Sequence, residues 1–139
     1  MDADFPKKLG IRPPHLVCLM GANRAFAQQL RLNCPSSVRI YRAIEDTNTP
    51  DVVIVWPSAD DDLGQLFQRL RNLIQPNGAV WAVIPKKPVA LRKGIPIFFD
   101  QVQAAALPTG LVDNKTLTFS EEEYGIRFVV RRSEREKVQ

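Results

Sequence analysis

Three short, uninterrupted apolar runs constrain the fold of this chain more than any other feature of its sequence. They cover residues 16–20, 52–56 and 79–84, and they are rich in branched or large side chains. Alternating apolar and polar residues would indicate a strand with one face in water, whereas a continuous run indicates a strand buried on both faces. Strands of this kind are typical of a parallel sheet covered by helices, so the runs predict an α/β fold.

Helices are predicted between and after these runs. Behind the first run, a turn at Gly21 leads into good helix formers that end near Asn33. Residues 63–74 place apolar side chains at the spacing of one helix face, and residues 97–107 follow Pro96, which suits a first helical turn. These segments are expected to cover both faces of the sheet.

Shorter extended segments complete the predicted sheet. Residues 37–41 alternate apolar and polar side chains, as an outer strand does, and residues 111–119 and 124–132 form an antiparallel hairpin. The connector at residues 43–50 is too short for a usual crossover between parallel strands, so an element is missing there. The sequence therefore predicts a mainly parallel, Rossmann-like sheet of about six strands that ends in an antiparallel hairpin.

The length of 139 residues is that of one domain. We assign residues 1–132 to this domain and residues 133–139 to a charged, flexible tail. No apolar run approaches the roughly 20 residues that cross a bilayer, and the N-terminus lacks the regions of a secretory signal. We expect a cytoplasmic protein without membrane contact. The net charge of +4 permits nucleic-acid binding without indicating it.

The small number of cysteine and histidine residues restricts which disulfides, metal sites and catalytic sites the chain can form. Two cysteines and one histidine cannot form a disulfide framework and leave a Cys/His zinc site short of ligands. Cys18 lies in an apolar run and Cys34 beside Pro35, with no obvious cation nearby, so both thiols are expected to be unreactive. His15 opens the first run, opposite the ligand end of a parallel strand, and is expected to be structural. We predict no metal site and no catalytic residue.

The order of elements resembles a known enzyme fold. Asp51 opens the second apolar run, Pro76 and Gly78 bound a turn before the third, and a hairpin closes the chain. From about residue 9 to residue 132 this pattern resembles a shortened class I S-adenosylmethionine-dependent methyltransferase. In those enzymes an aspartate opens the fourth strand, a Pro-Gly-Gly turn precedes the fifth, and a hairpin inserts the last strand antiparallel. More closely, segments 8–13 and 78–81 resemble a small, uncharacterised bacterial family of unknown function.

The resemblance also implies what the cofactor site should contain. The enzymes carry a Gly-x-Gly-x-Gly loop, whereas here Gly21 is followed by Ala22, Asn23 and Arg24, whose side chains are expected to obstruct a ligand. Those enzymes also hold the ribose with an acidic residue at the end of the second strand, near which Glu45 and Asp46 lie. We expect a degraded pocket and no cofactor, with S-adenosylmethionine as the alternative.

A ligand site is predicted at the edge where the parallel strands end. Residues of the strand-ending turns and two lysines meet at this edge. An anion could be held there by backbone N–H donors at the helix N-termini, with a lysine nearby. The candidates are Gly21, Ala22, Asn23, Ser58, Lys86 and Lys87. The alternative for residues 86–93 is a solvated basic loop. Three aspartates at 60–62 favour helix capping over metal binding, and they could also neutralise the lysines.

Three functions stay open, and the sequence favours the first of them. The first is a methyltransferase-like domain that has lost catalysis and serves as a binding module for an anionic small molecule or a protein. The second is a small methyltransferase, or another enzyme with a nucleotide ligand, that uses the turn at Gly21. The third is a binder of anions or nucleic acid that uses the basic residues 86–93 and the tail. Trp56 and Trp81 lie in buried runs and are expected to be core residues, not platforms for bases.

Overall fold

The fold is described from a computed structural model, which covers residues 1–43 and 49–135. The strands are β1 (Leu16–Met20), β2 (Arg39–Tyr41), β3 (Val52–Val55), β4 (Ala79–Pro85), β5 (Leu111–Thr118) and β6 (Glu123–Val130). The helices are α1 (Phe5–Lys8), α2 (Arg24–Asn33), α3 (Leu63–Leu73), α4 (Lys87–Lys93), α5 (Phe99–Ala106) and α6 (Arg132–Arg135), with a 3-10 turn at Leu107–Thr109. None of the helices in these two ranges is long and apolar enough to cross a membrane.

The six strands form one mixed sheet in the order β2-β1-β3-β4-β6-β5. The first four strands are parallel, with Leu19 beside Ile54 and Ile54 beside Trp81. β6 pairs antiparallel with both β4 and β5, so β5 runs in the direction of β4. The carboxyl ends of the parallel strands and the turn between β5 and β6 therefore share one edge, which we call the carboxyl edge. The predicted Rossmann-like sheet of about six strands is confirmed.

Helices cover both faces of the sheet because its central strands carry apolar side chains on both sides. α3 and α5 pack on one face, where Phe67 and Val102 meet residues such as Val80. α1 and α2 pack on the other face, where Phe5 and Leu30 join a second buried cluster. Burial on both faces explains why the central strands are unbroken apolar runs.

Side-chain caps fix where the two longer helices begin. The Asn23 side-chain oxygen accepts the Phe26 N–H at 2.8 Å, and one Asp62 carboxylate oxygen accepts the Gln65 N–H at 3.1 Å. Each bond satisfies a backbone donor that has no partner inside the helix. Capping by the aspartates at 60–62 is thus confirmed for Asp62.

Two parts of the sequence prediction need correction. The basic residues 86–93 do not form a loop, because Lys86 precedes a helix, α4, that Pro88 helps to start and Gly94 ends with φ of 67°. α1 was not predicted, because its four residues are too few to show a periodic pattern. Its Phe5 is buried against the sheet, so the N-terminal segment belongs to the core.

Asp51 lies just before β3, and its carboxylate accepts the Leu16 N–H at 2.8 Å. This bond joins the starts of β1 and β3.

The predicted tail and the predicted connector lie only partly within the described residues. The first residues of the predicted tail lie in α6, while residues 136–139 fall outside the described residues. Most of the connector at 43–50, for which a missing element was predicted, also falls outside them.

Candidate functional site

A cleft of about 780 Å³ opens at the carboxyl edge, on the face of the sheet that α1 and α2 cover. We call it the aromatic cleft. Its walls come from the N-terminal segment, α2, the residue after β3 and the hairpin of β5 and β6, and they comprise Met1, Asp2, Phe5, Lys8, Asn23, Ala25, Phe26, Gln29, Trp56, Thr116, Leu117, Thr118, Phe119, Ser120 and Glu123. Its volume lies within the usual range for small-molecule sites.

Four aromatic rings form one side of this cleft. The Phe26 ring lies 4.9 Å from Trp56 at 75° and 5.9 Å from Phe119 at 14°, and Phe5 meets Phe119 edge-on at 5.1 Å. These are the offset and edge-to-face arrangements that aromatic rings prefer. Phe5 is buried, whereas Phe26, Trp56 and Phe119 are half-buried, so part of each of these three rings faces the cleft.

Of the three charged side chains that line the aromatic cleft, two form an ion pair with each other and the third does not pair within the described ranges. Lys8 and Asp2 form an ion pair at 3.2 Å, which cancels both charges. A hydrogen bond from the Asp4 N–H, together with the bond from Lys8, holds the pKa of the Asp2 carboxyl below its usual value. Glu123 forms no ion pair with any residue of the described ranges. The cleft therefore carries one unpaired carboxylate.

The turn at Gly21 packs against Trp56, one of the residues that line this cleft. Gly21 has φ of 83°, and a Cβ added to it would lie 3.2 Å from the carbonyl oxygen of Trp56 and 3.3 Å from its Cβ. A glycine is needed here for both the backbone angle and the close approach. Trp56 thus joins the glycine turn to the aromatic cleft.

Two of the residues after Gly21 do not stand over the turn as predicted. Ala22 is buried, with its methyl group in the core cluster beneath α2. The Asn23 side chain folds back onto the Phe26 N–H, and Asn23 also lines the aromatic cleft. Of the three side chains expected to obstruct a ligand, that of Ala22 thus packs inward and that of Asn23 caps a helix, whereas obstruction by Arg24 stays a prediction.

The end of β2 holds a cation near the same turn. The guanidinium of Arg42 donates to the Ala22 carbonyl oxygen at 2.7 Å. Glu45 and Asp46, the acidic candidates for this position, lie outside the described residues. Among the residues described at the end of β2, the group nearest the turn is thus basic instead of acidic.

The polar groups of Ser58, which was predicted to help bind an anion, already form hydrogen bonds with the two residues Asp60 and Asp61. Its N–H donates to an Asp61 carboxylate oxygen at 2.7 Å, and its hydroxyl accepts the Asp60 N–H at 3.2 Å. With Asp62 on the Gln65 N–H, carboxylates occupy the start of α3. An anion would be repelled here.

Two of the three basic residues of α4 are paired with a carboxylate. Lys93 approaches Glu122 at 2.6 Å and Arg92 approaches it at 3.8 Å, and the bond to Lys93 holds the pKa of the Glu122 carboxyl below its usual value. Lys87 lines a separate cleft of about 560 Å³ beside Asp100. Of the predicted site residues, the structure brings together Gly21, Ala22 and Asn23, whereas Lys87 belongs to this other cleft.

Cys18, Cys34 and His15 have the structural roles expected of them. Burial raises the pKa of Cys18 to about 11 and also raises that of Cys34, so neither thiol is activated. The Nδ1 of His15 accepts the Arg12 N–H at 3.0 Å, within a turn before β1. Trp81 is fully buried, but the half-buried Trp56 lines the aromatic cleft, so its prediction as a core residue is only partly right. No three His, Cys, Asp or Glu side chains in the described ranges are grouped to hold a metal.

Sequence reasoning missed Phe5, Phe119 and Glu123. The sequence contains one signal for Phe119. Gly125 lies inside a strand, where a glycine often marks the close approach of another group. A Cβ there would overlap the Phe119 ring and lie 3.0 Å from Trp81 Cε3, so Gly125 leaves the space that the Phe119 ring occupies.

Solved structures with the same fold are methyltransferases. The chain superposes on a SAM-dependent methyltransferase from Aquifex aeolicus with a TM-score of 0.69 and 12% identity. The match covers 93% of this chain and 90% of that protein. A precorrin-6y C5,15-methyltransferase from Geobacter metallireducens gives 0.62 and 12% identity over 89% and 84% of the two chains. A TehB-like SAM-dependent methyltransferase from Corynebacterium glutamicum gives 0.58 and 8% identity over 93% and 87%.

At such low identity these likenesses concern the fold. The chain has the Rossmann-like fold of class I SAM-dependent methyltransferases, as its element order predicted. No family model matches the sequence, and no curated protein matches it. The narrower resemblance to a small bacterial family of unknown function stays a prediction.

Proposed function

We propose that this chain binds S-adenosylmethionine at the carboxyl edge, beside the aromatic cleft, and acts as a small methyltransferase. One observation carries the proposal: Trp56 packs against the left-handed turn at Gly21 and also lines the aromatic cleft. In a methyltransferase-like fold, a glycine turn, the start of α2 and a cleft of about 780 Å³ thus adjoin one another.

The residues at this place suit the cofactor. The inward packing of Ala22 and the folded side chain of Asn23 leave the turn open to a ligand. The start of α2 carries partial positive charge and suits a carboxylate.

The chain's own contribution to methyl transfer is positioning. When bound, the cofactor supplies a methyl group on a positively charged sulfur atom, which a nucleophile accepts. The turn at Gly21 and the start of α2 hold one side of the site, and the aromatic walls exclude water from the other. Acceleration by positioning alone requires reacting atoms roughly 3–3.5 Å apart and needs no acid or base side chain.

Calorimetric titration with S-adenosylmethionine and S-adenosylhomocysteine tests the proposal. We expect a Kd in the micromolar range, or about 7–8 kcal/mol of binding free energy. Gly21→Ala should weaken binding at least about tenfold, because the added Cβ strains the turn and crowds Trp56. Gly94→Ala is the matched control, since Gly94 has φ of 67° but open space around it. Absence of binding to both ligands at about 1 mM, with the protein folded, would contradict the proposal.

A second function is favoured by the contact of Arg42. Its guanidinium donates to the Ala22 carbonyl oxygen at 2.7 Å, which places a cation beside the glycine turn. The domain would then serve as a binding module without catalysis. In that case S-adenosylmethionine should bind neither the wild type nor Gly21→Ala, and Arg42→Ala should not disturb the fold.

A further inference from the structure

The aromatic cleft combines two features that attract positive charge. Phe26, Trp56 and Phe119 each expose part of a ring to it, and the face of an aromatic ring carries partial negative charge. The cleft also contains Glu123, whose carboxylate has no cationic partner in the described ranges.

The side chains at the opposite wall of the cleft from α2 offer little to an anion. The cleft's one cationic lining side chain, Lys8, is paired with Asp2 at 3.2 Å. The Ser120 hydroxyl accepts the N–H groups of Glu122 and Glu123 at 3.2 and 3.1 Å, so these donors are already occupied. Among the described lining side chains, the carboxylates of Asp2 and Glu123 therefore outnumber the ammonium group of Lys8 by one.

We infer that the aromatic cleft binds a small organic cation, an alkylammonium or quaternary ammonium group. The exposed surfaces of the rings hold its apolar groups and its charge, and the carboxylate of Glu123 supplies the counter-charge. The rings of the cleft also shield the bound cation from water. A partly desolvated cation is attracted more strongly to the face of an aromatic ring than a cation in water is.

The inference also gives the class of methyl acceptor, an amine, and in this respect alone it rests on the proposed function. A bound alkylammonium releases one proton to solvent, which frees the lone pair of its nitrogen. The lone pair forms the new C–N bond while the C–S bond of a methylsulfonium donor breaks and leaves its electron pair on sulfur. The product is again an ammonium cation, which the rings and Glu123 hold.

Choline and its neutral isostere 3,3-dimethylbutan-1-ol test the role of charge directly. Each is titrated into isotope-labelled protein at constant ionic strength, and binding is followed by the amide signals in two-dimensional NMR spectra. Choline should shift signals around Phe26, Phe119 and Glu123 and bind at least about fivefold more tightly than the isostere. Equal binding of the two compounds, or shifts located elsewhere, would overturn the inference.

Variants separate the carboxylate from the rings. Glu123→Gln keeps the size of the side chain and should weaken choline binding about threefold or more, with little effect on the isostere. Glu121→Gln is the matched control, because Glu121 lies in the same hairpin but does not line the aromatic cleft. Phe119→Leu tests the rings, with its thermal midpoint showing that the hairpin stays folded. Unchanged choline affinity in both Glu123→Gln and Phe119→Leu would overturn the inference.

The outcome is distinguishable from that of the proposed function. S-adenosylhomocysteine has no sulfonium charge, so its binding reports the cofactor site without the attraction for cations. If it binds and choline does not, the proposed function stands and the inference falls. If choline binds and S-adenosylhomocysteine does not, the cation site stands and the proposed function falls.

Discussion

Replacing Trp81 with phenylalanine tests how the N-terminal segment is held to the sheet. Trp81 is fully buried in β4, and its indole N–H donates to the Leu9 carbonyl oxygen at 2.9 Å. Leu9 is also fully buried and follows α1, which supplies Phe5 to the aromatic cleft. Trp81→Phe keeps an aromatic ring in the core but removes this bond.

The cost follows from two terms. A buried carbonyl left without a donor costs about 1–3 kcal/mol. The smaller ring leaves a space of about 40 Å³, which at about 24 cal/mol per Å³ adds about 1 kcal/mol. Trp81→Phe should therefore lower the free energy of unfolding by about 2–4 kcal/mol, which a domain with 5–15 kcal/mol survives in the folded state.

Urea unfolding, followed by circular dichroism and by the fluorescence of Trp56, measures this change. The midpoint should fall by about 1–2 M urea with an unchanged slope, since the surface exposed on unfolding is the same. Leu91→Ala is the control, because Leu91 is 64% exposed and its loss should cost less than about 0.5 kcal/mol. If Trp81→Phe costs no more than this control, the bond to Leu9 does not anchor the segment.

Three further predictions concern the core, a helix cap and pH. Ile54→Asp should abolish folding, because Ile54 is fully buried in β3 and a buried charge costs several kcal/mol; a soluble variant with unchanged thermal unfolding would contradict the sheet described here. Asp62→Ala should cost about 1 kcal/mol in chemical denaturation by freeing the Gln65 N–H, whereas Asp60→Ala should cost almost nothing. The pKa of Cys18 is raised by burial from 9.0 to about 11, so the folded state favours the neutral thiol and stability should fall as the pH rises through this window. The fall, roughly 2–3 kcal/mol at most, should be absent from Cys18→Ala when the two proteins are compared across that range, and equal slopes would show that Cys18 is not responsible.

The strands and most helices could be predicted from the sequence because their signals are local. Burial on both faces makes β1, β3 and β4 continuous apolar runs, and amphipathic spacing marks α3. The turn at Gly21 and the cap at Asp62 are set by residues within a few positions. Order and direction of the elements then favoured a Rossmann-like sheet, because short connections restrict how parallel strands can follow one another.

The aromatic cleft could not be predicted, because its residues are far apart in the chain. Phe5 and Phe119 lie 5.1 Å apart between ring centroids although more than a hundred residues separate them in sequence. Their meeting depends on α1 docking on the sheet and on β5 returning to the carboxyl edge, and neither event leaves a periodic pattern in sequence.

The charge of the site was likewise decided by the tertiary structure. The sequence shows lysines and aspartates near the carboxyl edge, but it does not show which of them meet. In the folded chain Glu122 pairs with Lys93 and Asp61 binds the Ser58 N–H, whereas Glu123 has no cationic partner in the described ranges. Because the interaction between charges depends on distances of a few ångströms, only the tertiary structure decides which of these side chains pair.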